Sequence, residues 1–156
     1  MTDEAKQEFT RRITTANKSE LVVILFDMFE RYAKDAIMFS DEGKKDAMAA
    51  ETGRARNVVL ELINSLDRQY DISNNLYSIY RYVDRLLIDA SVRRDAAPIK
   101  EANDHMKMIG ESFRKIAKED TDTPLMQNAE PVYAGMTYGS AGVNETGAGV
   151  NRGFLA

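Results

Sequence analysis

The sequence contains no cysteine and a single histidine, His105. Without cysteine there is no disulfide framework and no thiolate zinc site. One histidine is too few for the di-iron site of a helical bundle, which needs two Glu-x-x-His motifs. The glycines near the C-terminus have neither a strand before them nor a helix after them, as a phosphate-binding loop would require. We therefore expect a protein that is not an enzyme and that uses no cofactor and no metal.

Long apolar runs are also missing. The longest uninterrupted run, residues 21–26, is far shorter than the roughly 18 residues that span a membrane. The N-terminus, Met-Thr-Asp-Glu, lacks the basic and then apolar pattern of a secretory signal. A formal net charge of −4 gives no long-range attraction to nucleic acid or to an acidic membrane. These features predict a cytoplasmic protein that neither binds nucleic acid nor inserts into a membrane.

Proline and glycine are scarce before the C-terminal region. Six of the nine glycines and two of the three prolines follow Thr121. No stretch alternates apolar and polar residues for long enough to predict a strand. This pattern favours an N-terminal segment over residues 1–16, an all-helical domain over residues 17–118, and a glycine-rich, flexible C-terminal tail over residues 119–156.

Apolar periodicity predicts four helices in the helical domain, at about residues 17–40, 44–70, 73–93 and 95–118. Asn17 and Glu20 form a variant of the capping box at the start of the first helix. Asp95 is placed to cap the fourth helix, and Pro98 lies in its first turn, where the missing N–H costs little. Because the connections contain only a few residues, sequential helices run antiparallel. The prediction is an all-α, up-down-up-down four-helix bundle.

The first predicted helix is apolar over a wider arc than one core requires. One stripe covers about 100° of the helical wheel and contains Leu21, Leu25, Met28, Phe29, Tyr32, Ala36 and Phe39. A shoulder of roughly another 80° contains Val22, Phe26, Ala33 and Ile37. The third predicted helix has a smaller shoulder at Tyr77 and Ile88, beside a core stripe that includes Tyr80.

Two interpretations of this excess are compatible. In one, the first helix is simply more buried than its neighbours, under the N-terminal segment. In the other, the shoulders of the first and third helices border an apolar groove for a partner helix. A segment that covers such a groove can also be displaced from it by a partner.

Three segments match the pattern of one known family. The first is Thr-Thr-Ala-Asn-Lys-Ser-Glu-Leu at 14–21, followed by Leu-Phe-Asp at 25–27. The second is Leu-Ile-Asn-Ser-Leu-Asp at 62–67, and the third is Asn-Leu-Tyr-Ser-Ile-Tyr-Arg-Tyr-Val at 75–83, followed by Arg-Leu-Leu-Ile-Asp-Ala at 85–90. Over about residues 9–117, the sequence resembles the FliS family of flagellar export chaperones.

The resemblance implies a cytosolic chaperone that binds the C-terminal segment of newly made flagellin. It implies that the chaperone prevents premature polymerisation and presents flagellin to a component of the export gate. It also implies that the segment before the first helix is a flap, which covers part of the groove until flagellin displaces it. The expected partner-binding residues are Phe9, Ile13, Val22, Phe26, Ile37, Tyr77, Tyr80 and Ile88.

Two questions stay open at this point. The alternative function is a structural, homodimerising helical bundle or adaptor with no role for flagellin. In the C-terminal tail, residues 131–138 and 153–155 contain enough apolar side chains to dock on a surface. A disordered tail, a second flap and a contact for the export machinery are all compatible with them.

Overall fold

The computed structural model describes residues 1–126, and within that range all the regular secondary structure is helical, which confirms the predicted all-α class. Its five helices are α1 Asp3–Thr15, α2 Lys18–Asp41, α3 Lys45–Asn64, α4 Asp71–Arg93 and α5 Ala97–Glu119. The chain divides into one compact unit, Met1–Leu125, and a second, Met126–Ala156. The predicted flexible tail lies outside the described residues from 127 onward, and so do its apolar segments at 131–138 and 153–155.

Helix α1 is an addition to the four predicted helices. The sequence indicated only a covering segment here, because residues 3–15 are too polar to show an apolar stripe. The helix begins at Thr2, whose hydroxyl accepts a hydrogen bond from the Ala5 N–H at 3.3 Å. Asp3 and Glu4 follow in the first turn, where acidic side chains interact favourably with the positive end of the helix dipole.

Helix α2 begins with the predicted capping box. The Asn17 side-chain oxygen accepts the Glu20 N–H, the Glu20 carboxylate accepts the Asn17 N–H, and both distances are 2.9 Å. The helix ends at Asp41, and Gly43 follows with a φ of +72°, a conformation that favours glycine. The capping box therefore fixes the start of this helix, and the backbone conformation of Gly43 marks its end.

Two other boundaries differ from the prediction. Helix α3 ends at Asn64 rather than near Tyr70, because Ser65 and Asp67 hydrogen-bond to nearby backbone groups instead of continuing the helix. Helix α5 has Ala96 rather than Asp95 as its N-cap residue. The Asp95 carboxylate nevertheless accepts the Ala97 N–H at 2.9 Å, so it still satisfies a free amide at the start of the helix.

The core lies among helices α2 to α5. Helices α2 and α4 each pack against both α3 and α5, so they lie diagonally opposite each other. The Phe26 ring, which is completely buried, stacks on Phe113 at a centroid distance of 5.3 Å and lies 6.4 Å from Tyr80. Gly110 lets α5 approach this ring closely, since a Cβ there would lie 3.3 Å from the Phe26 Cβ.

The core face of α2 is centred differently from the predicted stripe. Its fully buried apolar side chains on this face are those of Phe26, Phe29, Ala33 and Ala36. Leu25, Met28 and Tyr32, which the helical wheel places in the core stripe, are only partly buried. The arc covers about half the wheel, and in a packed helix its centre is buried most deeply. Phe29 and Ala36 are near that centre, whereas Phe26 and Ala33 belong to the predicted shoulder, so the buried face is displaced from the predicted stripe toward the shoulder.

A buried ion pair joins α3 to α4. The Asp84 carboxylate, whose side chain is 3% exposed, accepts a hydrogen bond from the Arg56 Nε at 2.6 Å. Arg81 contributes a second, more distant contact at 3.6 Å. A carboxylate this deeply buried requires such partners, because removing it from water unpaired is costly.

We expect Gly53→Ala to stabilise the protein by about 0.5–1 kcal/mol, because Gly53 lies in α3 with open space around it and alanine is a better helix former. Gly110→Ala should stabilise less or not at all, because the new methyl group meets Phe26. Urea unfolding of both variants measures the difference. Equal stabilisation would contradict the close approach of α2 and α5.

We expect Arg56→Met to lower the free energy of unfolding by about 2–4 kcal/mol, because it leaves the buried Asp84 carboxylate with only the distant Arg81. The matched control is Arg93→Met, since Arg93 pairs with Asp89 on an exposed surface. That change should cost less than about 1 kcal/mol. Similar losses in the two variants would show that the Arg56–Asp84 pair does not stabilise the fold.

Candidate functional site

Helix α1 lies against α2, outside the core formed by the other four helices. None of the residues of α1, Asp3–Thr15, is fully buried. Phe9 and Ile13 are half-buried and lie four positions apart, on one side of the helix. Helix α1 is therefore attached to the protein surface rather than integrated into its core.

Two pockets open beside α1. The first, of about 580 Å³, is lined by Arg12, Thr15, Ala16, Glu20, Val23, Ile24, Arg114, Ala117, Lys118 and Asp120. The second, of about 520 Å³, is lined by Phe9, Asp27, Glu30, Arg31, Lys34, Ile37, Asn103 and Lys107. We call the depression between α2 residues 20–37 and α5 residues 103–118 the α2–α5 groove. Residues of α1 line both pockets, Arg12 and Thr15 in the first and Phe9 in the second.

The floor of the groove is polar at its centre. One stripe of α2 faces it, with residues spaced three or four apart as on one side of a helix, namely Val23, Asp27, Glu30, Lys34 and Ile37. Apolar side chains stand at the two ends of this stripe, and charged ones occupy the middle. The α2–α5 groove thus differs from the uniformly apolar groove that the sequence predicted.

Four charged side chains form what we call the three-helix charge cluster: Arg12, Asp27, Glu30 and Arg114. The Arg12 guanidinium of α1 donates to Asp27 Oδ2 at 2.6 Å. Arg114 of α5 donates to Asp27 Oδ1 and to Glu30 Oε1, each at 2.6 Å. These hydrogen bonds, that to Glu30 first, raise the pKa of Arg114 above its ordinary value. Asp27 therefore connects α1, α2 and α5 at one point.

A second group of charges holds the start of the chain. The amino group of Met1 lies 2.8 Å from Asp35 and 3.7 Å from Glu51, and both of these acidic side chains are buried. Arg31 pairs with Asp35 at 3.2 Å, and Arg54 pairs with Glu51. Polar contacts therefore hold α1 at its beginning as well as near its C-terminal end.

The junction between α1 and α2 is held by residues that follow α5. The Ala16 carbonyl accepts the Leu125 N–H at 3.0 Å. The Asn17 side-chain amide donates to the Asp122 carbonyl at 3.3 Å, and the Ser19 hydroxyl bonds to the Asp120 carboxylate. Residues 120–125 thus lie against the junction between α1 and α2.

The structure brings some of the predicted partner-binding residues to this groove. Phe9 and Ile37 line the same pocket, and Ile13 is half-buried on the same side of α1 as Phe9. Val22 is partly buried and packs against the core. Phe26 is in the core itself and has no exposed surface in this conformation.

The other predicted partner-binding residues lie on α4, away from this group. Tyr80 is buried in the core, and its burial raises the pKa of its hydroxyl group. Tyr77 is half-buried under the guanidinium of Arg68, which lies 4.1 Å from the ring centroid, and Ile88 is 39% exposed. Because α4 is diagonal to α2, the shoulders of these two helices do not border a common groove. Adjacency of helices cannot be read from two separate wheels.

The charge cluster at the groove was not predicted as a site. Asp27 belongs to the Leu-Phe-Asp segment quoted for the family resemblance, and this was the only signal of it in the sequence. Asp27 follows the buried Phe26 directly, so it points about 100° away from the core. Arg12 and Arg114 carry no comparable signal.

Residues 1–126 lack two other kinds of site, a membrane-spanning helix and a metal-binding cluster. None of the helices there is long and apolar enough to cross a membrane. Those residues also contain no cluster of three or more His, Cys, Asp or Glu side chains arranged to hold a metal ion.

Comparison with known proteins identifies the family. The family model for flagellar protein FliS matches residues 1–120. Three similar proteins are each described as a flagellar secretion chaperone FliS. The protein of Salmonella typhimurium is 27% identical over 67% of this chain and 80% of its own length, and that of Escherichia coli K12 is 24% identical over 66% and 78%. The protein of Bacillus subtilis is 23% identical over 69% and 81%.

These relatives are secretion chaperones rather than enzymes, which confirms the prediction of a non-catalytic protein. The match to the family model covers all five helices, including α1 and both sides of the α2–α5 groove. The chain belongs to the FliS family of flagellar proteins.

Proposed function

We propose that this protein is a cytoplasmic flagellar export chaperone that binds the C-terminal segment of flagellin in the α2–α5 groove. Binding there keeps the segment from polymerising before export. The observation that carries the proposal is that α1 covers the groove without burying any of its own residues. A cover attached in this way protects the groove and leaves it available.

Helix α1 is suited to be displaced. It contains 13 residues, and isolated helices of this length are marginally stable in water. The Arg12 and Asp27 side chains are 32% and 24% exposed, so solvent weakens the pair that holds them together. A guest that offers better contacts can therefore take the place of α1 without disturbing the core.

The guest must gain enough contact to offset its own ordering. A flagellin terminus that is disordered when free loses conformational entropy on binding. Each fully buried Leu, Ile or Phe contributes about 1.5–3 kcal/mol, so four or five apolar side chains provide useful affinity. The pockets beside α1, next to Phe9 and next to Ile24, offer space for such side chains.

The remaining helices provide the body of the chaperone. We propose that α2 to α5, within the domain of residues 17–118, form the antiparallel up-down-up-down bundle, and that residues 1–16 form the flap. A bundle packed around Phe26 keeps the groove formed while α1 moves. In the same proposal, the loaded chaperone presents flagellin to a component of the export gate.

A structural homodimer is the second candidate function. It is favoured by exposed apolar side chains on α4 and α5, of which Val92 is 77% exposed and Met108 is 71% exposed. Measurement of molecular mass across concentration separates the two candidates. A dimer that forms equally well with and without a flagellin peptide favours the structural role.

We expect deletion of residues 1–14 to tighten binding of a flagellin C-terminal peptide several-fold, because a docked flap lowers the apparent affinity by the fraction of time it is closed. The deletion should also increase self-association, since it exposes the groove. Isothermal titration and mass measurement test the two effects. Equal or weaker binding by the shortened chain would contradict the flap.

A pair of isoleucine variants locates the guest in the same titration. Ile37→Ser should weaken peptide binding by about tenfold, because Ile37 lines the pocket beside Phe9 and an apolar anchor is worth about 1.4 kcal/mol or more. The matched control, Ile88→Ser on α4, should leave the affinity unchanged. The reverse pattern would place the guest on α4 instead of the α2–α5 groove.

A further inference from the structure

The acidic side chains in the middle of the α2–α5 groove are balanced in part by α1. With α1 docked, Asp27 accepts hydrogen bonds from Arg12 and Arg114, and Glu30 accepts one from Arg114. When α1 leaves, Arg12 goes with it and Arg114 remains bonded to both carboxylates. The centre of the open groove then holds two negative charges beside one positive charge.

We propose that α1 is an internal stand-in for the guest, and that the open groove selects a helical segment with a basic residue between two apolar ones. This rests on the function proposed above. In α1 the apolar residues are Phe9 and Ile13, and the basic residue is Arg12. Positions i, i+3 and i+4 share one side of a helix, so a guest with the same spacing presents the same three groups to the groove.

The groove disfavours a guest without a basic residue, because such a guest would leave the Asp27 and Glu30 carboxylates without a second cation. A helix that covers the groove removes water from Asp27 and Glu30. If it brings no cation, two carboxylates must share the Arg114 guanidinium in a partly desolvated site, which is unfavourable. Unpaired charges of this kind disfavour wrong partners, in addition to the contacts that attract the correct one.

The geometry favours arginine over lysine in the guest. Arg12 reaches the Asp27 carboxylate at 2.6 Å, and its guanidinium also lies 5.6 Å from the centroid of the Phe9 ring. A planar guanidinium can bond to a carboxylate and stack on an aromatic ring at the same time. Lys34 lies one helical turn after Glu30 in the second pocket, but the ion-pair partner of Glu30 in the structure is Arg114, and Lys107 lies about 10 Å along α5 from Arg114.

The test uses the full-length protein with Arg12→Glu, in which the repulsion between like charges at positions 12 and 27 weakens the docking of α1 on the groove. The probes are three synthetic peptides of residues 2–15: the natural sequence, the same peptide with Arg12→Glu, and a control with Lys6→Glu. Lys6 pairs with Asp3 on the exposed side of α1, so the control makes the same charge change away from the groove. Chemical-shift changes in NMR spectra report binding even at about millimolar dissociation constants.

The natural peptide should bind at least about tenfold more tightly than the peptide with Arg12→Glu, because like charges in contact strongly disfavour a complex. The Lys6→Glu control should change the affinity less than about threefold, as expected of an exposed pair. Adding Asp27→Asn to the protein should reduce the tenfold preference to less than about threefold. Thermal melting of each protein variant verifies that it is folded.

Titration of the same proteins with a flagellin C-terminal peptide separates this inference from the proposed function. Failure of the flagellin peptide to bind would overturn the proposed function, while the preference among the α1 peptides would still be measured. The stand-in inference is overturned if the natural α1 peptide does not bind. It is also overturned if the two charge-reversed peptides bind equally, or if the preference survives Asp27→Asn.

Discussion

The carboxylate of Asp27 is the contact that joins α1 to both α2 and α5. It accepts hydrogen bonds from a guanidinium on α1 and from another on α5, each at 2.6 Å. Its neighbour in sequence, Phe26, is completely buried in the core between α2, α4 and α5. Because adjacent residues on a helix point about 100° apart, two consecutive positions of α2 organise both the core and the surface groove. The same short Leu-Phe-Asp segment therefore contributes one side chain to the core and one to the groove.

The proposed function requires α1 both to cover the groove and to leave it. Its apolar contacts are only half-buried, and the Arg12–Asp27 pair remains partly open to solvent. Leu125 and Asp122 hydrogen-bond to the junction between α1 and α2. Movement of α1 would therefore disturb the residues that follow α5. Protection of the groove and easy release of α1 are opposite requirements. A half-buried helix held by the Arg12–Asp27 ion pair is suited to both.

The sequence was sufficient for four of the five described helices and for the cap of α2, and insufficient for α1 and for the relative placement of the helices. The capping box at Asn17 depends on local spacing and could be predicted, as could Pro98 in the first turn of α5. The phase of α2 could not, because a wide apolar arc does not reveal which part is most buried, and Phe26, which the wheel places on the shoulder, proved to be completely buried. The pairing of Asp27 with Arg114, which lies 87 residues away, depends on tertiary structure. The diagonal position of α4 depends on it too, which is why Tyr77 and Ile88 lie apart from Phe9 and Ile37.

In the proposed function, the guest takes the place of α1 on the surface of α2 and α5. Amide hydrogen exchange of the full-length protein, with and without a saturating flagellin C-terminal peptide, tests this claim directly, because it reports local opening segment by segment. We predict that exchange becomes faster in α1 and slower along the α2 and α5 sides of the groove when the peptide binds. Unchanged or slower exchange in α1, with new protection confined to α4, would contradict the account.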